Sequence, residues 1–388
     1  MPTASSAPSM PASPGEHQSL VTRARRQLLA PATLQVGAPE GIAPWLWRSW
    51  RRCLEQGRSP AEKLEFAALA PHALRELQER HDALLQAARP VMAQLAAAVG
   101  AMRCFSLLTD ASGLVLEVEG PVDRHDRRTL AVGRAGVDLS ERSAGTSAIG
   151  AALTELGPVW LHRQEHFFDA LRDYSGAGAP IFDAQGRCLG MLDITGIDVP
   201  ERPELQHLAL RCARAIEDRL LRALPHAVLL HLNWPGCPLG QEGEGLMAFD
   251  AEGCMLGGNS VARQLVPRPP QPPGDRRPMH SQELLALPWA DLAEHARQRP
   301  QTLMTLPLWS GLRLQAFAQA GPLLQAPLIA SPLPLRASEQ LLIQQALHEA
   351  LGNVSLAAKS LGLSRATLYR RLAGKRRPPA SPTPPDLP

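Results

Sequence analysis

APIFDAQGRCLGMLDITG, from Ala179 to Gly196, is two apolar runs joined by the turn Asp183-Ala-Gln-Gly186. An Asp three residues before a Gly, between apolar runs, writes strand, turn, strand. The Asp carboxylate can accept from turn N–H groups and the glycine can take positive φ. The same pattern occurs earlier in RCFSLLTDASGLVLEVEG, Arg103 to Gly120, and later in EGLMAFDAEGCMLGGNSVARQLV, where Asp250 to Gly253 is the turn and a helix starts at Asn259. The first two hairpins are separated by SERSAGTSAIGAALTELGPVWLHRQEHFF, Ser140 to Phe168. In this stretch a Gly/Ser/Thr loop, N-capped at Ser143 or Thr146, opens a short Ala-rich helix, and PVWLH reads as a strand.

Working outward, RPELQHLALRCARAIEDRLLRAL, Arg202 to Leu224, reads as a long amphipathic helix with Leu205, Leu208, Cys212, Ile216 and Leu220 along its apolar stripe. Upstream, IAPWLWRSWRRCLEQG from Ile42 is helical. A second helix runs from His72, with Leu74, Leu77, Leu84 and Leu85 at helical intervals and a break or kink expected at Pro90. Helices flanking a five- or six-stranded antiparallel sheet make an α+β sensor domain over residues 91–224, preceded by a helical region at 31–90. Downstream, QTLMTLPLWSGLRLQAFAQAG supplies two more strands, so 226–325 reads as a smaller α+β domain with a Pro-rich loop inside it. Residues 1–30, small and rich in Pro and Ser, and residues 378–388 are expected to lack structure, and 326–336 is a Pro-punctuated linker.

Hydrophobic residues make up 45% of the 388 and aromatics only 4%, so the cores must rest on Leu, Ala, Val and Ile. The net charge of +3 is unevenly spread: eight Lys or Arg against two Glu lie between Arg336 and Arg377, a balance of +6 that leaves −3 elsewhere. A local basic segment on an otherwise ordinary chain is the footprint of a nucleic-acid module. The six cysteines are scattered without CxxC spacing, giving neither a zinc site nor a disulfide frame. The N-terminus has no apolar signal core, and no stretch reaches the ~20 apolar residues of a membrane span, so a cytoplasmic protein with no membrane partner is expected.

The basic segment has its own grammar. Ser338 caps a helix running to Leu351, a second helix covers Val354–Leu361, Gly362 makes the turn, and a third helix starts at Ser364. Val354, Leu361, Leu363, Leu368 and Leu372 form a miniature core, while Ala357 and Ala358 let the third helix cross closely. The first turn of the third helix then enters a major groove with Arg365 suited to guanine, Ser364 and Thr367 suit base or phosphate contacts, Tyr369 shares the exposed face, and Arg370, Arg371 and Lys375 suit the phosphates. GNVSLAAKSLGLSRATLYRRL, Gly352 to Leu372, resembles the C-terminal helix-turn-helix of the Fis family, in which the preceding helix helps to build a dimer and the third helix reads DNA.

A second resemblance lies in SWRRCLEQG, SERSAGTSAIGAAL, EHF and APIFDAQGRCLGMLDITG, which look like the N-terminal GAF region of acetoin-type regulators, bacterial sigma-54-dependent activators with a Fis-type terminus. GLMAFDAEGCMLGGNSVARQLV is similar to the opening of a PAS domain, in degenerate form. The fold implied is α+β, with a GAF-like sensor domain, a smaller degenerate PAS-like domain and an all-α helix-turn-helix at 337–377. In GAF-type domains a small effector lies between the sheet and the loops over it. Arg142, Trp160, His166, Phe167 and Tyr174 are the candidates here, each with plain core packing as the competing reading for the apolar ones. Relatives often carry Cys where Gly176 stands.

One departure matters. Sigma-54 activators hold an ATPase whose phosphate loop needs GxxxxGK[ST]. Lys63, Lys359 and Lys375 are the three lysines of the chain, and only Lys375 follows a glycine, with Arg376 in the place of the Ser or Thr and Tyr369 in that of the first Gly. HRQEH, His162 to His166, fits the H-x-x-E-H zinc-protease string, but the strand-like GPVWL before it does not suit a catalytic helix. No catalytic, metal or cofactor set is assigned. The expected protein is a non-enzymatic transcriptional regulator that binds double-stranded DNA as a homodimer and answers a small-molecule effector, with RNA polymerase or a related regulator as a further partner. The alternative is an effector-binding protein that forms mixed dimers with a full-length sigma-54-dependent activator.

Overall fold

The computed structural model describes residues 14–29, 37–269 and 277–325, together with Ala358. The chain divides into two units, Met1–Gln325 and Ala326–Pro388. The helices that open the first unit are α1 (Pro14–Leu29), α2 (Pro44–Glu55), α3 (Pro71–Arg80) and α4 (Asp82–Val99). Then come β1 (Cys104–Asp110), β2 (Val115–Glu119), α5 (Arg127–Val132), α6 (Glu141–Ala144), α7 (Ala148–Glu155), β3 (Val159–His162), β4 (Tyr174–Phe182), β5 (Cys188–Ile197) and α8 (Leu205–Ala223).

These strands form an antiparallel sheet in the order β2-β1-β5-β4-β3, with β5 in the middle. The Asp-x-x-Gly turns close as their chemistry requires. Asp183 Oδ1 accepts from the N–H groups of Gln185 and Arg187 at 2.9 and 2.8 Å, and Gly186 takes φ +89°. Side-chain alternation along the strands feeds two cores. Leu108, Ala177, Ala179, Ile181, Leu192 and Ile194 face α4 and α8, while Phe105, Leu107, Val159, Leu161, Tyr174, Met191 and Ile197 face the side covered by α1, α2 and α7. A sheet buried on both faces explains why β1 is buried at every position rather than at alternate ones.

Several expectations need correction. Pro14–Leu29 is a helix, not an unstructured tail: Val21, Ala24 and Leu28 join the first core, and this packing outweighs the polar, Pro-bounded composition of the segment. The break in the second helical stretch falls at His81, with φ −107° and ψ 20°, and α4 runs through Pro90. Ala87, Ala88, Val91 and Met92, buried on either side of Pro90, hold that helix together despite the lost backbone bond. On α8 the deepest positions are Leu205, Ala209, Ala213, Ile216, Glu217 and Leu221, whereas Leu208, Cys212 and Leu220 are only partly buried. The stripe is rotated because alanines allow the helix to lie close against the alanines of β4.

The remaining elements are β6 (Val228–Asn233), β7 (Gly245–Phe249), β8 (Met255–Gly258), α9 (Ser260–Leu265), α10 (Ser281–Leu284), α11 (Trp289–Gln298), β9 (Met304–Pro307), β10 (Arg313–Ala320) and α12 (Pro322–Gln325). They make a second antiparallel sheet of five strands in the order β8-β7-β6-β10-β9. Asn259 caps α9, accepting from Ala262 N at 2.8 Å. The second sheet is bolted to the first through α8 and the β4–β5 hairpin. Buried Glu217 accepts from Phe182 N at 3.0 Å and from Ser260 N at 3.1 Å. Asn259 Nδ2 donates to Asp218 at 2.7 Å, and Gly258 N donates to Ala184 O at 2.9 Å. Leu221, Leu229, Leu246 and Ala248 fill the space between.

Candidate functional site

Small residues on β4 create the site. Gly176 and Gly178 lie beneath α7, where a Cβ on Gly176 would stand 2.8 Å from Ala148 Cβ and one on Gly178 would stand 2.4 Å from Met191 Cε. Glycine therefore lets α7 approach the sheet. The cap of α7 is Ser147, whose Oγ accepts from Gly150 N at 3.1 Å. The two residues expected in that role work elsewhere: Ser143 Oγ donates to Asp138 at 2.5 Å, and Thr146 Oγ1 shares a hydrogen bond with Ser49 Oγ at 2.7 Å.

Between the sheet and this cover lies a cavity of about 40 Å3. Leu107, Val132, Leu139, Ile149 and Leu171 make it largely apolar, and Ser175, Asp193, Thr195, His166 and Tyr174 supply its polar groups. Asp193 is 1% exposed, on the central strand opposite Leu107 of β1 and Gly178 of β4. Its Oδ2 accepts from Thr195 Oγ1, whereas Oδ1 has no protein partner. Burial pushes its pKa up to about 7, against the pull of the Thr195 hydrogen bond. Burial likewise pushes His166 down to about 4, so its ring is neutral near pH 7; Nδ1 lies 3.0 Å from Arg163 O. Tyr174 Oη donates to Arg128 O at 2.8 Å, and burial raises its pKa. The Arg128 guanidinium, tied to Asp126, Asp173 and Asp198 at 3.0, 2.8 and 2.7 Å, fixes α5 over that edge of the cavity.

The segment from His162 to Asp169 closes another side, and α1 holds it. Arg25, 8% exposed, donates to the carbonyls of Gln164 at 3.2 Å, His166 and Phe167, and pairs with Asp169 at 2.7 Å. Glu165 accepts from His162 N at 2.6 Å and is paired with His17 Nε2 at 2.9 Å, a contact that raises the His17 pKa. Trp50 Nε1 donates to Glu165 O at 2.7 Å.

Of the candidates read from the sequence, His166 and Tyr174 line the cavity. Phe167 belongs to the adjoining core and meets Phe168 edge to face. Trp160 points to the opposite, helix-covered face, stacked on His162, because strand alternation sends Leu161 inward instead. Arg142 is not among the lining residues; its carbonyl accepts from Arg58. Sequence reading passed over Ser147, Ser175, Asp193 and Thr195. The signal for Asp193 was present, since GMLDITG sets one carboxylate inside an apolar strand. HRQEH lies across the end of β3 and a 3-10 turn (Arg163–Glu165), so its two histidines do not share a helical face, and among the described residues no group of three His, Cys, Asp or Glu could hold a metal. Nor is any helix among them long and apolar enough to cross a membrane. Ser364, Arg365, Thr367, Tyr369, Arg370, Arg371 and Lys375 lie outside the described residues; Ala358 in that unit is helical and buried.

An α+β unit of two antiparallel sheets is thus followed by a segment that matches the bacterial regulatory protein Fis family over residues 334–373, so a Fis-type helix-turn-helix stands near the C-terminus. The chain belongs to the family defined by the MimR N-terminal domain, which matches residues 18–218, just over half of its length. Among curated proteins it is 32% identical over 258 residues to the acetoin catabolism regulatory protein of Cupriavidus necator, covering 65% of this chain and 38% of that one. It is 32% identical over 200 residues to the propane 2-monooxygenase operon transcriptional activator MimR of Mycolicibacterium goodii, covering 51% and 33%. To the acetoin dehydrogenase operon transcriptional activator AcoR of Bacillus subtilis it is 29% identical over 176 residues, covering 44% and 28%. The chain therefore spans about a third of the length of these relatives. Among solved structures, the E. coli DhaR(N)-DhaL complex matches with a TM-score of 0.44 at 15% identity, covering 71% of this chain and 99% of that one.

Proposed function

We propose that the protein is a sequence-specific transcriptional regulator that binds DNA through its Fis-type head as a homodimer and senses a small molecule in the cavity over the first sheet. The observation that carries this reading is the pairing, in one chain, of a DNA-binding head with a cavity bearing a buried, half-satisfied carboxyl group. In this reading the first sheet is a GAF-like sensor and the second a degenerate PAS-like spacer. The strand order β2-β1-β5-β4-β3, with an effector-sized space between sheet and covering helices, supports the first assignment.

The route from cavity to head starts in the sheet itself. Tyr174, Ser175 and Gly176 line the cavity at one end of β4, and the other end of that strand makes the hairpin gripped by Glu217, Arg263 and Gly258. A shift of β4 on ligand binding therefore reaches the second sheet through packed backbone contacts. A coupling of about 1–3 kcal/mol suffices for a several-fold change in DNA occupancy. The chain contains no GxxxxGK[ST] string, so this action involves no ATP hydrolysis by the residues present. RNA polymerase or a related regulator completes the set of partners. Genome-wide mapping of bound sites, followed by DNA-binding measurements on those sites with the purified chain, tests the proposal. Absence of any enriched site, or binding that ignores sequence, would overturn it.

A further inference from the structure

The cavity wall holds one feature that folding does not require. Asp193 stands in the middle of the central strand, flanked by apolar neighbours, with Thr195 as the partner of one oxygen and none for the other. A buried polar oxygen left unmatched is destabilising, and an apolar residue such as Val at this position would leave no such group. Oδ1 lies 3.4 Å from where a Cβ on Gly176 would stand, beside Ala148 of α7, and Asp193, Gly176 and Ala148 all line the cavity. The other titratable lining groups are His166, uncharged near pH 7, and Tyr174, which already donates to Arg128 O. Among the described residues no Lys or Arg lines the cavity. The space therefore offers an acceptor and no cation.

We propose that the cavity takes a small aliphatic ligand that donates an O–H or N–H to Asp193 Oδ1, an alcohol or an amine, and rejects carboxylates and phosphates. A volume of about 40 Å3, a few times the ~10–15 Å3 that one water requires, limits the buried part of the ligand to about three to five non-hydrogen atoms. An anion would meet a buried carboxyl group without a counter-charge and would lose its own hydration in an apolar box. An alcohol gains one charge-assisted hydrogen bond; an ammonium ion gains that bond and neutralises the carboxylate.

The proposal rests on the cavity being the sensor site, and the test separates the two claims. Propan-2-ol, propan-2-amine and isobutyrate are titrated into the full chain, and the methyl NMR signals of Leu107, Ile149 and Leu171 are followed. The alcohol or the amine, or both, is expected to shift these signals saturably, while isobutyrate leaves them in place. In Asp193→Leu that binding should weaken at least tenfold. Asp193→Asn tells the two ligand types apart: it should weaken amine binding at least tenfold but alcohol binding only a few-fold, because the amide oxygen still accepts. Isobutyrate binding as well as the others, or indifference to both substitutions, would overturn the donor class. So would the failure of all three probes. The sensor reading is tested by transcription from mapped promoters in Leu139→Phe and Ile149→Phe, each of which puts a larger side chain on the cavity wall. If either folded variant still switches these promoters normally, the cavity is not the sensor; if switching is lost while the probes fail, the sensor reading survives without the ligand class.

Discussion

Replacing Arg25 with alanine should release α1 from the segment that closes the cavity. The guanidinium is 8% exposed, donates to three backbone carbonyls and pairs with Asp169. Hydrogen bonds involving a charged group contribute about 1.5–3 kcal/mol each in net terms. The sum is not available in full, because burial of the guanidinium opposes its own charge and water can reach the carbonyls once α1 lifts. About 2–3 kcal/mol for α1 docking is therefore the expected scale. Hydrogen exchange measured by mass spectrometry reads such a local opening directly. Peptides covering 14–29 and 162–169 should exchange roughly 30- to 150-fold faster in Arg25→Ala, since each ~1.4 kcal/mol is a factor of ten. Peptides covering Val228–Asn233 of β6 should be unchanged. If the rate at 162–169 does not move, the clamp contributes nothing; if every peptide accelerates equally, Arg25 supports the global fold rather than the local cover.

Three further outcomes follow from particular contacts. Glu217→Leu leaves Phe182 N and Ser260 N without their acceptor at the junction of the two sheets, and should destabilise the first unit by about 2–4 kcal/mol in urea unfolding. Asp193 should add a falling contribution to the pH dependence of stability, opposed by a rising one from His166. Its folded-state pKa, raised from 3.8 to about 7, makes it lose stability as pH climbs through that window, whereas His166, lowered from 6.5 to about 4, contributes stability above pH 6.5 that is lost as pH falls to 4. Wild type should therefore fall behind Asp193→Asn by up to ~1.4 kcal/mol per pH unit between pH 4 and 7; a constant difference across that range would refute this assignment. In the head, Arg365→Ala should cost about 1–3 kcal/mol of binding to a mapped site and relax its specificity, while Arg371→Ala should weaken all DNA alike and flatten the salt slope; equal effects on one sequence alone would break that division of labour.

Much of this organisation was legible because the hairpin chemistry is local. Asp183, Gly186, Asp250 and Gly253 announce their turns by residue type alone, and so the strands around them were readable in sequence. What depended on tertiary contacts was not. Helix α1 exists because Val21, Ala24 and Leu28 find a core and Arg25 finds carbonyls nearly 140 residues away in the chain. β6, a short apolar run, gave no period to distinguish it from a buried helix segment. The rotation of α8 was hidden because Leu208 and Leu220 outweigh Ala209 and Ala213 in any hydrophobicity pattern, although it is the alanines that touch the sheet. The aromatic residues drew attention to Trp160, which strand alternation turns away from the cavity, whereas Asp193, a single carboxylate in an apolar strand, marked the site.

The most direct test is fluorescence anisotropy with the purified full chain, comparing a genome-mapped duplex with a scrambled duplex of the same length and composition at one fixed salt concentration. The expected result is at least ~10³-fold tighter binding to the mapped duplex, with the preference shrinking in Arg365→Ala. Equal affinity for both duplexes, with the same dependence on salt, would mean that the basic C-terminal segment only attracts phosphate and that no sequence is being read.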